Sequence, residues 1–279
     1  MLKIIQFVVF ALLCSGCKEN LDPSKPTREL NLLLGNPSEA TPDASKPGNY
    51  LLQHKEYSLS YNNEKGSPNW VAWHLSLAWK GAAPRQDDFR SDGDLPANFY
   101  KVKATDYATT GFDRGHLCPS EDRDSTNTEN SQTFLMTNIM PQSPNLNRIT
   151  WKDFESFCRS QMTQGNELYI YAGGYGTGGQ GTNGTANTLA GGKISVPSHC
   201  WKIALILPNG QNDLKRISSN TRVIAIDLPN TQDVNSSNWG DYRVSVDALE
   251  ASLGYDFFSK LPAGTQAALE SRKDTGPVQ

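Results

Sequence analysis

The chain has 279 residues, ordinary globular proportions of aliphatic and aromatic side chains, and a formal net charge of −3. That composition excludes wholesale disorder and leaves room for one large domain or two small ones with a substantial core. It also excludes recognition of a polyanion through a uniformly basic surface, so binding of that kind must be confined to a local positive cleft.

At the N-terminus, Lys3 precedes the apolar run Ile4–Leu13 and then Cys14-Ser15-Gly16-Cys17. A basic start, a short apolar segment and small residues before a cysteine read as an export signal over residues 1–17. The run is too short to span a bilayer permanently. The ending LLCSGC resembles a bacterial lipoprotein signal, which implies a lipid on Cys17 and a membrane-anchored protein facing the periplasm or the cell surface. Ordinary cleavage nearby, giving a secreted protein, is the alternative. Residues 18–48 are rich in proline, serine, asparagine and charge and read as a flexible tether. Within them, NLLLGNPSEA could dock as the first piece of the folded domain.

The domain itself is expected over residues 49–265. Residues 50–62 and 69–79 carry aromatic and β-branched residues in partial alternation and predict two strands joined by a turn at Lys65-Gly66-Ser67-Pro68. Residues 80–110, broken by Pro84, Gly93 and Pro96, read as a long surface loop. From Asn147 to Met162 the spacing predicts a helix with an asparagine cap and with Ile149, Phe154, Phe157 and Met162 near one side. A buried strand from Glu167 runs into a stretch with seven glycines between Gly173 and Gly184. No GK[ST] follows, so this is a flexible surface connection and not a nucleotide-cradling loop. WKIALILP from Trp201 and RVIAIDLP from Arg222 are two further core strands, each closed by a proline. Ser245–Pro262 reads as an amphipathic helix with a glycine stop, and residues 266–279 as a frayed tail. There is no internal repeat. The expected fold is one α+β domain, a central mostly antiparallel sheet flanked by helices.

Two strings carry the chemistry: GFDRGHLCPSEDR at residues 111–123 and NIMPQSPNLNRITWKDFE at residues 138–155. Hydrolysis of a phosphodiester needs a water made nucleophilic, charge stabilisation on the phosphoryl oxygens, and help for the departing oxygen. A neutral histidine, here His116, suits the first task near pH 7. A Mg²⁺-type ion suits the other two, and needs only an asparagine carbonyl such as that of Asn147, waters and a substrate phosphate as ligands. No run of histidines and cysteines suggests zinc. Glu155 is a candidate outer-shell acid and Arg114 a phosphate clamp. Asn147, Trp151, Glu155 and Arg159 are four residues apart, a spacing that makes one ridge on a helix. The plainer alternatives are a structural histidine, a capping Asn147, and a Glu155–Arg159 surface pair. Asp113 and Asp122 are expected to partner nearby arginines. His54, His74 and His199 lack partner motifs, and Trp70, Trp73, Trp79 and Trp201 read as core.

DRGHLCPSEDR, followed by TNIMPQ, NLN, a tryptophan four residues on and a glutamate four later, resembles the DNA/RNA non-specific endonuclease family, a branch of the ββα-metal (His-Me finger) nucleases. The resemblance runs from Asn31 to Pro262. It implies a ββα-metal motif in which His116 is the general base, Asn147 ligates Mg²⁺, and Glu155 orders waters on that ion. It further implies Arg114 near the scissile phosphate, Arg159 assisting the leaving group, Arg85 binding phosphate upstream, and Asn138 and Gln142 supporting the site. The activity implied is Mg²⁺-dependent cleavage of DNA and RNA with little sequence preference, leaving 5′-phosphates, with Mn²⁺ able to substitute. The alternative is a catalytically idle nucleic-acid-binding envelope lipoprotein.

Cys118, Cys158 and Cys200 remain in the mature chain. Export permits a disulfide, and an odd count leaves one thiol over. Cys158, late on the expected helix, and Cys200, just before the strand at Trp201, are the expected pair. Cys118 with Cys158 is the competing one.

Overall fold

The computed structural model describes residues 25–278. The export signal, Cys17 and the first part of the expected tether lie outside these residues. Strands β1 (Tyr50–Gln53), β2 (Ser58–Asn62) and β3 (Ser67–Leu75) form an antiparallel meander. The first expected strand is thus two, folded back through a tight turn in which the His54 N–H donates to the Tyr57 carbonyl. Next come β4 (Asp113–His116) and β5 (Ile139–Gln142), which pair with each other and not with the main sheet. The short helix α1 (Asn127–Gln132) lies between them and α2 (Lys152–Thr163) follows. β6 (Asn166–Tyr175) returns to the main sheet. Two small pairs come after it, β7 (Gly179–Gly181) with β8 (Gly184–Ala186), and β9 (Thr188–Leu189) with β10 (Ile194–Ser195). β11 (His199–Pro208), α3 (Asp213–Arg216), β12 (Arg222–Pro229), β13 (Arg243–Val244), α4 (Val246–Leu253) and α5 (Ala263–Glu270) complete the chain. The main sheet has seven strands, all antiparallel, in the order β1-β2-β3-β6-β11-β12-β13.

Both faces of this sheet are covered, and the period-2 alternation of its strands sorts residues between two cores. On β3, Trp70 and Ala72 face one way while Val71, Trp73 and Leu75 face the other. On β11, Trp201, Ile203, Leu205 and Leu207 join the first core and Cys200, Ala204 and Ile206 the second. The first core packs Trp201 and Tyr171 edge-on against Phe257, beyond α4. The second packs Trp151, Phe154, Phe157 and Met162 of the α2 region against the sheet. Truncating a buried aromatic of this kind costs about 3–5 kcal/mol. A third, smaller cluster of Val102, Tyr107, Phe112, Met136, Ile139 and Val196 sits against the β4–β5 pair.

Four expectations change. The stretch read as tether is folded from well before residue 49: Leu34 is fully buried in the first core, Arg28 reaches Glu129 at 2.6 Å, and Thr41 bridges to Tyr50. The docking of NLLLGNPSEA is the reason. The glycine-rich stretch is ordered strand and hairpin. Gly173 is required because a Cβ there would collide with the Trp201 ring and the Asn69 carbonyl. The helix from Ser245 ends at Leu253, where Gly254 takes the left-handed conformation (φ 70°) that closes helices. The tail is held, because Asp274 accepts from Arg222 at 2.9 Å and from Arg243 at 3.0 Å.

Candidate active site

The two strings of the sequence form one unit. In β4–β5, Asp113 stands opposite Gln142, Arg114 opposite Pro141, Gly115 opposite Met140 and His116 opposite Ile139. Gly115 has no side chain because a Cβ there would strike the Gln142 amide. Asn138, fully buried, ties the turn beyond His116. Its amide nitrogen donates to the carbonyls of Cys118 and Thr133, both at 2.8 Å, and its Oδ1 accepts from the Cys118 N–H at 2.9 Å.

The helix that follows does not start as expected. Leu146–Trp151 form a π-helical turn that leads into α2. Such wide turns recur at functional sites because they re-aim side chains. Here Ile149 turns outward and is 40% exposed, while Arg148 and Lys152 join the cleft wall. Asn147 does not cap the helix through its side chain. Trp151 points inward, and its indole N–H donates to the His116 carbonyl at 3.1 Å, fastening the helix to β4.

His116, Arg85, Arg114, Asn147, Glu155 and Arg159 all line a single cleft of about 320 Å³, together with Ser120, Glu121, Arg148 and Lys152. The His116 ring packs edge-on against Phe134 (centroids 4.9 Å apart) and beside Phe89 (5.3 Å), and its Nε2 has no hydrogen-bond partner. Burial, with the nearby charges of Arg85 and Arg114, pulls its pKa down to about 3. The imidazole is therefore neutral near pH 7, the form a general base requires.

The arginines are held through their guanidinium groups. Arg114 lies 4.2 Å from the Phe89 centroid, and Arg85 lies 4.8 Å from that of Phe134 while donating to Ser120 Oγ at 2.9 Å. Arg159 spans Glu121 at 2.8 Å and buried Asp122 at 3.2 Å. Asp113 pairs with Arg148. Both aspartates thus partner arginines, as the sequence suggested.

Asn147 and Glu155 present oxygen. The Asn147 amide nitrogen donates to Asp113 Oδ2 at 2.9 Å, which leaves its carbonyl oxygen without a protein donor among the described residues. Glu155 has one oxygen held by Lys202 at 3.0 Å. Burial raises its pKa above the usual 4.5, opposed by the charges of Lys202 and Arg159. An all-oxygen donor set of this kind suits a hard divalent cation. Among the described residues, three other groups of histidine and carboxylate side chains are close enough together to hold an ion: His54/Asp92/Asp94, His74/Glu167/Asp213 and Asp247/Glu250/Glu270. None includes a cleft residue. His54, His74 and His199 pair with Asp92, Glu167 and Asp227.

The expected Cys158–Cys200 crosslink is absent: Cys118, Cys158 and Cys200 are all free and buried. Cys200 directs its sulfur to Met140 Sδ of β5, 3.9 Å away, and not to α2. Burial pushes the Cys158 and Cys200 thiols up to about 12, and that of Cys118 higher still. Lys202, which the sequence reading passed over, lies beneath the cleft. The signal was present in WKIALILP, where period 2 puts this one charge on the same face as Cys200 and Ala204.

Two paired strands followed by a helix, with a histidine on the first strand and an asparagine at the helix entrance, define the ββα-metal nuclease fold. The chain belongs to the DNA/RNA non-specific endonuclease family, whose family model matches residues 35–264. It is 44% identical over 276 residues to a nuclease of Nostoc sp., covering 98% of this chain and 97% of that protein. It is 30% identical over 249 residues to nuclease C1 of Cunninghamella echinulata var. echinulata, covering 86% and 92%. A chain in the crystal structure of the EndoG/EndoGI complex superposes with a TM-score of 0.68 at 22% identity, covering 83% of this chain and 91% of that one.

Proposed function

We propose that this protein is a metal-dependent endonuclease that hydrolyses phosphodiester bonds of DNA and RNA with little sequence preference. One observation carries the reading: the neutral imidazole of His116 lines a cleft that also holds five basic side chains and the oxygens of Asn147 and Glu155. A ring nitrogen of the neutral His116 imidazole takes a proton from the attacking water as its oxygen bonds to phosphorus. Arg114 and Arg85 hold the phosphate and meet its developing charge. The bond to the 3′ oxygen breaks, that oxygen gains a proton, and the products carry 5′-phosphates. Arg159 steadies the departing side. Asn147 through its side-chain carbonyl oxygen, and Glu155 through water, would hold a divalent cation, Mg²⁺ with Mn²⁺ as substitute. When bound, the ion supplies Lewis-acid stabilisation of phosphoryl charge. Contacts confined to phosphate and sugar carry no direct base code, which accounts for low selectivity.

The export segment supports a location outside the cytoplasm, with the domain anchored by a lipid on Cys17. Replacing that residue (Cys17→Ser) is expected to release active protein from the membrane fraction, and retention there would contradict the anchor. For the activity, purified protein is expected to degrade plasmid DNA and RNA in Mg²⁺ and to stop when the ion is chelated. Intact plasmid after incubation with folded protein and Mg²⁺ refutes the reading.

A further inference from the structure

Lys202 projects from β11 toward α2, and its side chain is 1% exposed. Its ammonium makes three contacts. Nζ lies 3.0 Å from Glu155 Oε1, 3.9 Å from the Trp151 ring centroid and 5.6 Å from that of Trp73. Each contact leads to a different part of the cleft. Glu155 is itself a cleft residue. Trp151 donates to the His116 carbonyl. The Trp73 indole N–H donates to Asp122 Oδ2 at 2.9 Å, and the other oxygen of Asp122 accepts from Arg159. Among the described residues, Glu155 is the only carboxylate in ion-pair reach of Lys202.

We infer that Lys202 is a positioning residue of the cleft, whose buried ammonium fixes Glu155 through one oxygen and leaves the other turned to a bound divalent cation. Burial of a lysine is costly unless it is paired, and this one is paired to a residue of the site and not to a carboxylate elsewhere in the core. The indole faces on either side restrict the ammonium further by cation–π attraction. Glu155 sits on a helix and has rotamers that would carry its carboxylate out into solvent. The strand-borne lysine removes that freedom, because it is anchored on β11, an inner strand flanked by β6 and β12, and not on the helix that carries Glu155. Outer partners that orient a metal-facing ligand typically contribute about 10–100-fold in metal affinity or activity.

The inference rests on the nuclease reading, and the test separates the two. Wild type, Lys202→Met, Glu155→Gln and the double variant are compared as purified full-length proteins. Three quantities are measured: kcat and KM on a defined DNA duplex, Mn²⁺ affinity by electron paramagnetic resonance, and thermal unfolding. Lys202→Met is expected to lower kcat and Mn²⁺ affinity by about 10–100-fold with KM little changed. In the Glu155→Gln background, adding Lys202→Met is expected to change kcat by less than about twofold, because the residue it acts through is already gone. Losses that multiply in the double variant overturn the inference, as does Lys202→Met with wild-type kcat and Mn²⁺ affinity. If Lys202→Met alone does not fold, the double variant, which leaves no unpaired charge, decides. Equal kcat with Glu155→Gln supports positioning, whereas a further large loss, or failure of the double variant to fold, overturns it. A wild type that leaves the duplex uncut sinks the nuclease reading itself, whereas cleavage with multiplying losses sinks only the assignment of Lys202.

Discussion

Asp113 holds the Asn147 amide nitrogen at 2.9 Å with the same carboxylate that grips Arg148 at 2.7 and 2.8 Å. The first motif thus decides which end of the Asn147 amide faces the cleft. Asp113→Ala frees that amide to turn, and should weaken Mg²⁺-supported activity by about 10–100-fold, the usual range for an outer partner of a metal-facing ligand. A Mg²⁺ titration reads it, and an unchanged midpoint and maximal rate would contradict the role.

Asn147→Ala should act by loosening the cation. Its activity should recover in part at high Mg²⁺ or Mn²⁺, since excess ion refills a weakened oxygen site. Titrations indistinguishable from wild type would remove Asn147 from the site.

Far from the cleft, Glu270 sits with Glu250, Asp247 and Asp256, and burial with that negative company raises its pKa from the usual 4.5 to about 7. A folded-state pKa above the unfolded value means the folded protein holds the proton longer. The stability linked to this group is fully present below about pH 4.5 and is lost as pH rises through 7. Glu270→Gln, which cannot ionise, should therefore unfold at a higher temperature than wild type at pH 8 and at nearly the same temperature at pH 4. Equal shifts at both pH values would mean that Glu270 does not titrate in this way.

The thiols give a simpler test. Because Cys118, Cys158 and Cys200 are buried and unlinked, they should resist alkylation in the native state and all react after unfolding. Peptide mapping without reductant should recover them separately. A linked Cys158–Cys200 peptide would restore the crosslink that the sequence suggested.

How much could be read beforehand depended on distance along the chain. The DRGH strand and the Asn147–Trp151–Glu155–Arg159 series are local patterns, and Arg114, His116, Asn147, Glu155 and Arg159 from them line one cleft while Trp151 anchors in the core beneath. The alternation of Trp70 and Trp73 was likewise visible, because strand period needs no knowledge of partners. The π turn, which leaves Ile149 exposed, was not, since the contact of Trp151 with the His116 carbonyl of β4 that accompanies it joins residues 35 apart in the chain. Nor was Lys202, which meets Glu155 only through the pairing of β11 in the sheet. The tail read as frayed because its composition is polar. Only the folded chain brings Asp274 to Arg222 and Arg243. The cysteine pairing failed for a related reason: spacing placed Cys158 and Cys200 on neighbouring elements, but Cys200 packs its sulfur on Met140.

The central claim is that His116 is the base, and one measurement addresses it most directly. Purified His116→Ala is mixed with excess over a DNA duplex in Mg²⁺, and single-turnover cleavage is followed beside equilibrium binding. The cleavage rate should fall by about 10²–10⁴-fold, the contribution of a positioned general base, with the binding constant and unfolding temperature near those of wild type. Added Mg²⁺ should not restore it, because an ion cannot accept the proton. Cleavage within a few-fold of the wild-type rate would contradict the account.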